Sequence, residues 1–327
     1  MGDKILVTGA SGFTGRALCK RLVSDGATVV AFARNAATVS DLAKAGVEIR
    51  IVDIRDARAV RDNFTAFKQV YHIAAAFRTE HEDLDEFRRV NVEGVRNMLL
   101  AAKTCGAGRF IHCSTVGVQG DIDDPPAAED YRFKPGDHYQ QTKMEGELLA
   151  REYFSAGLPG TVVRPVGIHG PGDTRFLKLF RSIARGRFVM IGPGTTLYHM
   201  TYIDDLVQGF LLAGEKKEAL GQVFTIGGPE YTTLNELVSA IACAVGVRPP
   251  RLRVPFAPVY WLSLLCPVLC RPFGINPPLY PRRVEFFSKS RAFSIEKARR
   301  LLGYDPKVNL HEGLKRTADW YREQGLL

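Results

Sequence analysis

The chain of 327 residues lacks most of the features that mark nucleic-acid binders, metalloproteins and membrane-spanning proteins. Its formal net charge is +9, yet it contains no long Lys/Arg run, so a nucleic-acid groove is not the first reading. A spread surplus of that sign favours acidic partners instead, such as a phosphorylated cofactor or anionic lipid headgroups. Cysteine is sparse, at 19, 105, 113, 243, 266 and 270, and none of these sits with histidine at metal-ligand spacing. Cys266 and Cys270 share a helical spacing but have no further ligand types beside them, so no metal is expected. Reduced thiols in a cytoplasmic protein are the expectation. The sequence passes into Lys4-Ile-Leu-Val-Thr-Gly9 almost at once, so no targeting segment is expected. Internal repeats and low-complexity stretches are missing.

What is present is the composition of a globular protein, 46% hydrophobic and 24% charged. Short apolar runs alternate with amphipathic stretches. Strands are predicted at 5–8, 28–33, 47–52, 70–74, 110–113 and 161–164, with helices at about 14–25, 84–104 and 138–156. That alternation specifies an α/β fold with a doubly wound parallel sheet over residues 1–165. After Pro165, Pro and Gly become frequent, in Gly170-Pro-Gly172, Gly192-Pro-Gly194 and Gly227-Gly-Pro229. Residues 166–327 are therefore expected to form mainly a smaller C-terminal substrate-binding lobe, with some segments rejoining the first sheet. Thr233-Leu-Asn-Glu236 has capping-box spacing and opens a helix to about Val245; Asn309 with Glu312 is placed to cap the last helix.

Gly9-Ala-Ser11-Gly12-Phe13-Thr-Gly15 follows the first strand and opens a helix. Glycine permits a tight turn and close approach to a pyrophosphate, and the helix N-terminus supplies free N–H groups and a positive dipole. A plain tight turn is the competing reading. The end of the second strand discriminates between dinucleotides: an acid there bonds the ribose 2′-hydroxyl, whereas arginine accommodates a 2′-phosphate. The acid is absent at Ala33 and Arg34 follows, which favours NADP(H) over NAD(H). Arg34 stacked on adenine or facing solvent is the alternative. Asp53, followed by Ile54 after the third strand, is placed to bond the adenine amine, unless it is a solvated loop carboxylate.

Tyr139 and Lys143 lie four residues apart in a helical stretch, hence on one face. A free phenol titrates near ~10, too high for a base at neutral pH, and a nearby ammonium lowers that value. Tyr139 would then pass a proton to or from a hydroxyl while hydride moves, and Lys143 would also reach the nicotinamide ribose. Upstream, Ser114 and Thr115 end the fifth strand. Thr115 is the first choice for the hydroxyl that holds the substrate oxygen, and Ser114 the second. Either could simply cap the strand end.

Taken in order, Gly9-x-x-Gly12-x-x-Gly15, Asp53, His72-Ile-Ala-Ala-Ala76, Asn91-Val-Glu-Gly94, Ser114-Thr115, Tyr139/Lys143, Arg164-Pro165, His169-Gly-Pro-Gly-Asp173 and Leu302-Gly-Tyr-Asp-Pro306 resemble the extended short-chain dehydrogenase/reductase superfamily. The resemblance spans nearly the whole chain. It implies a Rossmann domain, a bound dinucleotide and Ser/Thr–Tyr–Lys chemistry, with Ala74, Ala75, Ala76, Pro165 and Val166 lining the cofactor. It also admits a homodimer. Threonine at 115 departs mildly from the superfamily's usual serine.

Two features bear on substrate. Nucleotide-sugar epimerases usually carry an arginine shortly before the segment matching Tyr202-Ile-Asp-Asp205, and this chain has Leu197-Tyr-His-Met-Thr201 there. Without it a diphosphate loses a bidentate partner. The Thr-Tyr-Ile-Asp-Asp wording resembles instead the 3β-hydroxysteroid dehydrogenase / sterol-4-carboxylate 3-dehydrogenase branch. Second, Val254–Cys270 is apolar, interrupted by Pro255, Pro258 and Pro267, and shorter than the ~20 residues of a spanning helix. Arginines flank it. It is expected to be a peripheral membrane contact over 254–271, a lid, or a buried helix pair in the small lobe. Phe77, Val116, Phe176, His199 and Tyr202 are candidate substrate contacts, with a satisfied structural histidine as the competing reading of His199. His81, Glu82 and Asp83 are a further candidate, against an ordinary acidic helix start. The resulting expectation is an oxidoreductase acting on a secondary alcohol or ketone of a small hydrophobic substrate. A nucleotide-sugar epimerase or dehydratase with tightly bound NAD is the runner-up, and a non-catalytic dinucleotide sensor the third reading.

Overall fold

The computed structural model describes residues 3–77, 84–274 and 277–327. Twelve strands are present among them: β1 (Ile5–Thr8), β2 (Val29–Ala33), β3 (Glu48–Ile51), β4 (Gln69–His72), β5 (Phe110–Cys113), β6 (Gly160–Pro165), β7 (Gly167–His169), β8 (Met190–Ile191), β9 (Leu197–Tyr202), β10 (Val223–Ile226), β11 (Tyr231–Thr233) and β12 (Arg253–Val254). Seven of them form one parallel sheet in the order β10-β6-β5-β4-β1-β2-β3. The pleat sends alternate residues to opposite faces. Ile5, Val7, Val29 and Ala31 pack with the Phe13–Ser24 and Ile203–Glu215 helices, whereas Leu6, Val30 and Phe32 pack with the Gly94–Thr104 and His138–Ser155 helices. The strand order reverses between β1 and β4. The crevice outside their carboxyl ends is where this architecture places ligands.

The six predicted strands are present in this sheet, and β10, from the second half of the chain, pairs with β6 at its edge. The remaining second-half strands form a three-stranded β11-β9-β7 sheet and a β12-β8 pair. Their core gathers Phe180, Leu234, Leu237, Ile241, Leu314 and Tyr321. The helix Leu234–Val245 carries both bonds of the Thr233/Glu236 capping box, and the Asn309 side chain accepts from the Glu312 N–H.

Two expectations needed correction. The predicted 84–104 helix is one path in three pieces: α over Leu84–Arg88, a wide π turn over Arg89–Glu93, then α over Gly94–Thr104. The apolar stretch is not broken by proline either, but forms one helix, Phe256–Cys270. Pro258 falls in its first turn, where no N–H bond is required, and Pro267 forfeits a single interior bond. Nor is it a buried helix pair, because Ser263 is its one buried residue.

Candidate active site

The cradle is built at the end of β1. Gly9 has φ +73°, and a Cβ there would lie 2.6 Å from the Ala74 nitrogen. A Cβ on Gly15 would lie 2.3 Å from the Gly9 carbonyl oxygen. The turn is closed by Gly12 N–H donating to the Gly9 carbonyl at 3.0 Å, and no side chain caps the helix that starts at Phe13. Ser11 and Gly12 are exposed beside it. The outcome is a backbone-lined hollow in front of free first-turn N–H groups, which fits the pyrophosphate of a dinucleotide. Arg175 extends over the Phe13 ring at 5.4 Å and bonds Asp173, which places a cation beside the same turn.

Across the switch point, Thr8 Oγ1 accepts from the N–H groups of Ile73 and Ala74, both at 3.2 Å, and meets His72 Nδ1 at 2.9 Å. The loop is then gripped by Asn91. Its side chain accepts from the Ala76 N–H at 2.8 Å and donates to the Ala76 carbonyl at 3.2 Å and to Thr142 Oγ1 at 3.0 Å. The π turn thus has a use, since it turns Asn91 inward to tie the Ala74–Ala76 loop to the Tyr139 helix. The sequence motif contained Asn91 but did not reveal this grip.

The helix His138–Ser155 is capped by Asp137, which accepts from the Gln140 N–H. It presents Tyr139, Lys143 and Glu147 on one side, a turn apart. Lys143 is buried and donates to the Cys113 carbonyl at 2.6 Å, anchoring the helix to the end of β5. Burial pulls its ammonium below the ordinary lysine range. Tyr139 is half-buried, with the Phe77 ring edge-on at 4.9 Å and Phe87 at 6.4 Å. Desolvation pushes its phenol above the usual range. The expected lowering of Tyr139 by Lys143 therefore does not prevail between these two side chains. Burial sets the direction, and Lys143 donates to the Cys113 carbonyl.

The two candidate hydroxyls are placed differently. Ser114 is buried and donates to Glu147 Oε2 at 2.7 Å. Glu147 in turn holds Arg164 through paired bonds of 2.9 and 2.6 Å. Thr115 is half-buried, and its Oγ1 accepts from the Gly117 N–H at 3.1 Å, which leaves its own proton and a lone pair for a ligand. Behind both, His72 and His112 stack at 5.8 Å. Burial lowers His72 to about 3 and His112 well below its ordinary value.

The remaining candidates are distributed as follows. Arg34 is exposed at the end of β2, near enough to help lower the Asp53 carboxyl. Asp53 is engaged mainly by Arg55, whose Nη2 donates to it at 2.6 Å, so its bond to an adenine amine has a competitor. Ile54 is buried against the Gly94 backbone. Val166 and Val116 share one apolar cluster with Phe293, and buried Pro165 directly precedes it. Phe176 packs on the core of the second lobe. Tyr202 is buried in the core, and His199 is buried with Nε2 bonded to the Gly228 carbonyl at 3.0 Å. Neither of these two opens toward solvent, and while His199 Nε2 is bonded, its Nδ1 is buried without a hydrogen-bond partner. His81, Glu82 and Asp83 lie outside the described residues. Among the described residues no group of three or more His, Cys, Asp or Glu is placed to hold a metal.

A parallel sheet with a glycine cradle at its switch point and a Tyr–Lys pair on the adjoining helix defines a dinucleotide-dependent enzyme. Residues 5–227 match the model of the NAD dependent epimerase/dehydratase family, and the chain belongs to that family, as an NAD-dependent enzyme of the extended short-chain type. A 2-alkyl-3-oxoalkanoate reductase of Stenotrophomonas maltophilia (strain K279a) is 31% identical, over 96% of this chain and 98% of its own. A 3beta-hydroxysteroid-dehydrogenase/decarboxylase (isoform 1) of Arabidopsis thaliana is 30% identical, over 96% and 78%. Among solved structures, that of gox2253 superposes over 100% of both chains with TM-score 0.84 and 27% identity. A UDP-glucuronic acid 4-epimerase of Bacillus cereus in complex with NAD covers 98% of this chain and 99% of its own, with TM-score 0.77 and 25% identity.

Proposed function

We propose that the chain is an NAD(P)-dependent oxidoreductase that interconverts a secondary alcohol and a ketone on a hydrophobic molecule, with a 3β-hydroxysteroid or sterol as the leading candidate. The observation that carries this reading is the apolar surround of the reacting position. Phe77 is edge-on to Tyr139 and 41% exposed, and Val116, which follows Thr115 in the chain, packs in one buried apolar cluster with Val166 and Phe293. The strand where nucleotide-sugar enzymes place a diphosphate arginine adds support. In β9, Tyr198 is buried and donates to the Phe286 carbonyl, and His199 is spent on Gly228. The relatives named above include a reductase of an alkyl oxoalkanoate and a hydroxysteroid dehydrogenase, both with an oxygen on a carbon-rich skeleton.

The nicotinamide, when bound, supplies or accepts the hydride. Thr115 holds the substrate oxygen. Tyr139 delivers its proton to that oxygen in reduction and takes it back in oxidation. Lys143, fixed by the Cys113 carbonyl, stands one turn from Tyr139 on the same helix, with its remaining protons left for ribose hydroxyls. NADP(H) is favoured over NAD(H) because Arg34 is exposed at the end of β2, where an acid would otherwise bond a 2′-hydroxyl.

The test is turnover by the purified protein of a 3β-hydroxysteroid, a 2-alkyl-3-oxoalkanoate and a UDP-sugar, each with NADP(H) and NAD(H), followed by reduced-nicotinamide absorbance. Net oxidation or reduction of an apolar substrate is expected. Epimerisation of the UDP-sugar on co-purified NAD, with no net cofactor turnover, would overturn the reading.

A further inference from the structure

The helix Phe256–Cys270 is apolar on every side, yet it lies on the surface. Trp261 is 65% exposed, Leu265 57%, Val268 68%, Leu269 65% and, just beyond the helix, Phe273 78%. Helices that are hydrophobic all round are normally buried in a core or in lipid. A contiguous exposed row of this kind marks a contact surface. Immediately before the helix, Arg248, Arg251 and Arg253 line a cavity of about 280 Å³ together with Met190, Asn235 and Val238. Arg253 is held in place there by bonds to the Pro193 carbonyl and to Asn235 Oδ1. Arg271 follows the helix and is exposed, as is Arg283 further on.

From this arrangement we infer that the face formed by Phe256–Phe273 and the three-arginine cavity docks the protein on the surface of an anionic phospholipid bilayer, with the helix lying in the interface and a headgroup phosphate in the cavity. The helix is not placed to span. With the turn that continues it, Phe256–Phe273 is long and apolar enough by length and composition to cross a membrane, so placement rather than length argues against a span. Both its ends return to one folded body. At its start β12 pairs with β8, and at its far end the Pro281–Glu285 helix leads to Phe287, whose carbonyl accepts from Thr196 Oγ1 at 2.7 Å. Basic groups flank this apolar helix, Arg248, Arg251 and Arg253 before it and Arg271 after it, and such groups are drawn to anionic headgroups. Nothing in the inference depends on the substrate, so it stands or falls apart from the proposed activity.

The experiment is vesicle flotation of the full chain with phosphatidylcholine vesicles and with vesicles of equal parts phosphatidylcholine and phosphatidylglycerol. Binding to the mixed vesicles, weakened by salt, is expected. Arg248→Gln with Arg251→Gln is expected to lower that affinity about 25-fold, or about fivefold per arginine. Leu265→Glu with Val268→Glu is expected to abolish it, with thermal melts of both variants unchanged. Absence of flotation at low salt, or full flotation of the glutamate variant, overturns the inference. Wild-type protein that dimerises through these side chains in sedimentation velocity, and does not float, assigns the face to a second copy of the chain. Titration with inorganic phosphate that fills the cavity, combined with wild-type vesicle affinity in the arginine variant, assigns the cavity to free phosphate and overturns the headgroup part.

Discussion

Substituting Glu147→Gln tests what holds the Tyr139 helix in place. The Glu147 and Arg164 side chains are 0% and 1% exposed and meet through two charge-assisted bonds, with a third from Arg164 to the Glu129 carbonyl at 2.9 Å. Gln keeps the shape but removes the negative charge, leaving a buried guanidinium without its counter-ion and Ser114 with a weaker acceptor. Removing one partner of a buried pair costs about 3–5 kcal/mol. An unfolding entropy of ~2.1 cal/mol/K per residue gives the whole chain roughly 0.7 kcal/mol/K. The midpoint of thermal unfolding should therefore fall by roughly 4–7 °C, read by circular dichroism. The double replacement Glu147→Leu with Arg164→Met removes both charges and should cost less than the single one. If Glu147→Gln melts within about 1 °C of wild type, or the double variant is the less stable, the pair does not anchor the helix.

Other perturbations have equally definite outcomes. Gly15→Val forces atoms against the Gly9 carbonyl and should weaken dinucleotide binding at least about tenfold in a fluorescence titration; unchanged affinity would remove the cradle from the site. Arg34→Ala should lower affinity for NADP(H) about tenfold while sparing NAD(H), and equal losses for both would leave the 2′-phosphate without its partner. The folded state holds His72 near 3, below the unfolded value of ~6.5, so the unfolded chain binds more protons between these limits. Stability from this group is complete above pH ~6.5 and declines as pH falls toward about 3, by roughly 2 kcal/mol from pH 7 to pH 5. Urea midpoints across that range should show the slope, and His72→Leu should flatten it; identical slopes would refute the assignment.

Much of this was legible in the sequence because β1, β2, β4, β5 and β6 are buried runs whose residue types permit little else. The cradle was legible because Gly9 and Gly15 occupy places a Cβ would fill. The features missed depend on contacts remote in sequence. The π turn at Arg89–Glu93 follows from Asn91 reaching Ala76 and Thr142, the latter 51 residues away. The choice between Ser114 and Thr115 turns on Glu147, 33 residues beyond Ser114, and local sequence carries no trace of that bond. For the apolar stretch, counting prolines as interruptions ignored their positions within a helix. Composition also could not show that Trp261, Val268 and Leu269 remain uncovered.

The most direct test of the proposed chemistry is the single-turnover rate of Tyr139→Phe with whichever apolar ketone or alcohol the wild type converts, measured beside its dinucleotide affinity. The hydroxyl alone is removed, and the ring contact with Phe77 at 4.9 Å is preserved. The expected result is a rate reduced by about 10²–10⁴ with cofactor affinity within about twofold of wild type. A rate within about threefold of wild type would contradict the assignment of the proton to Tyr139.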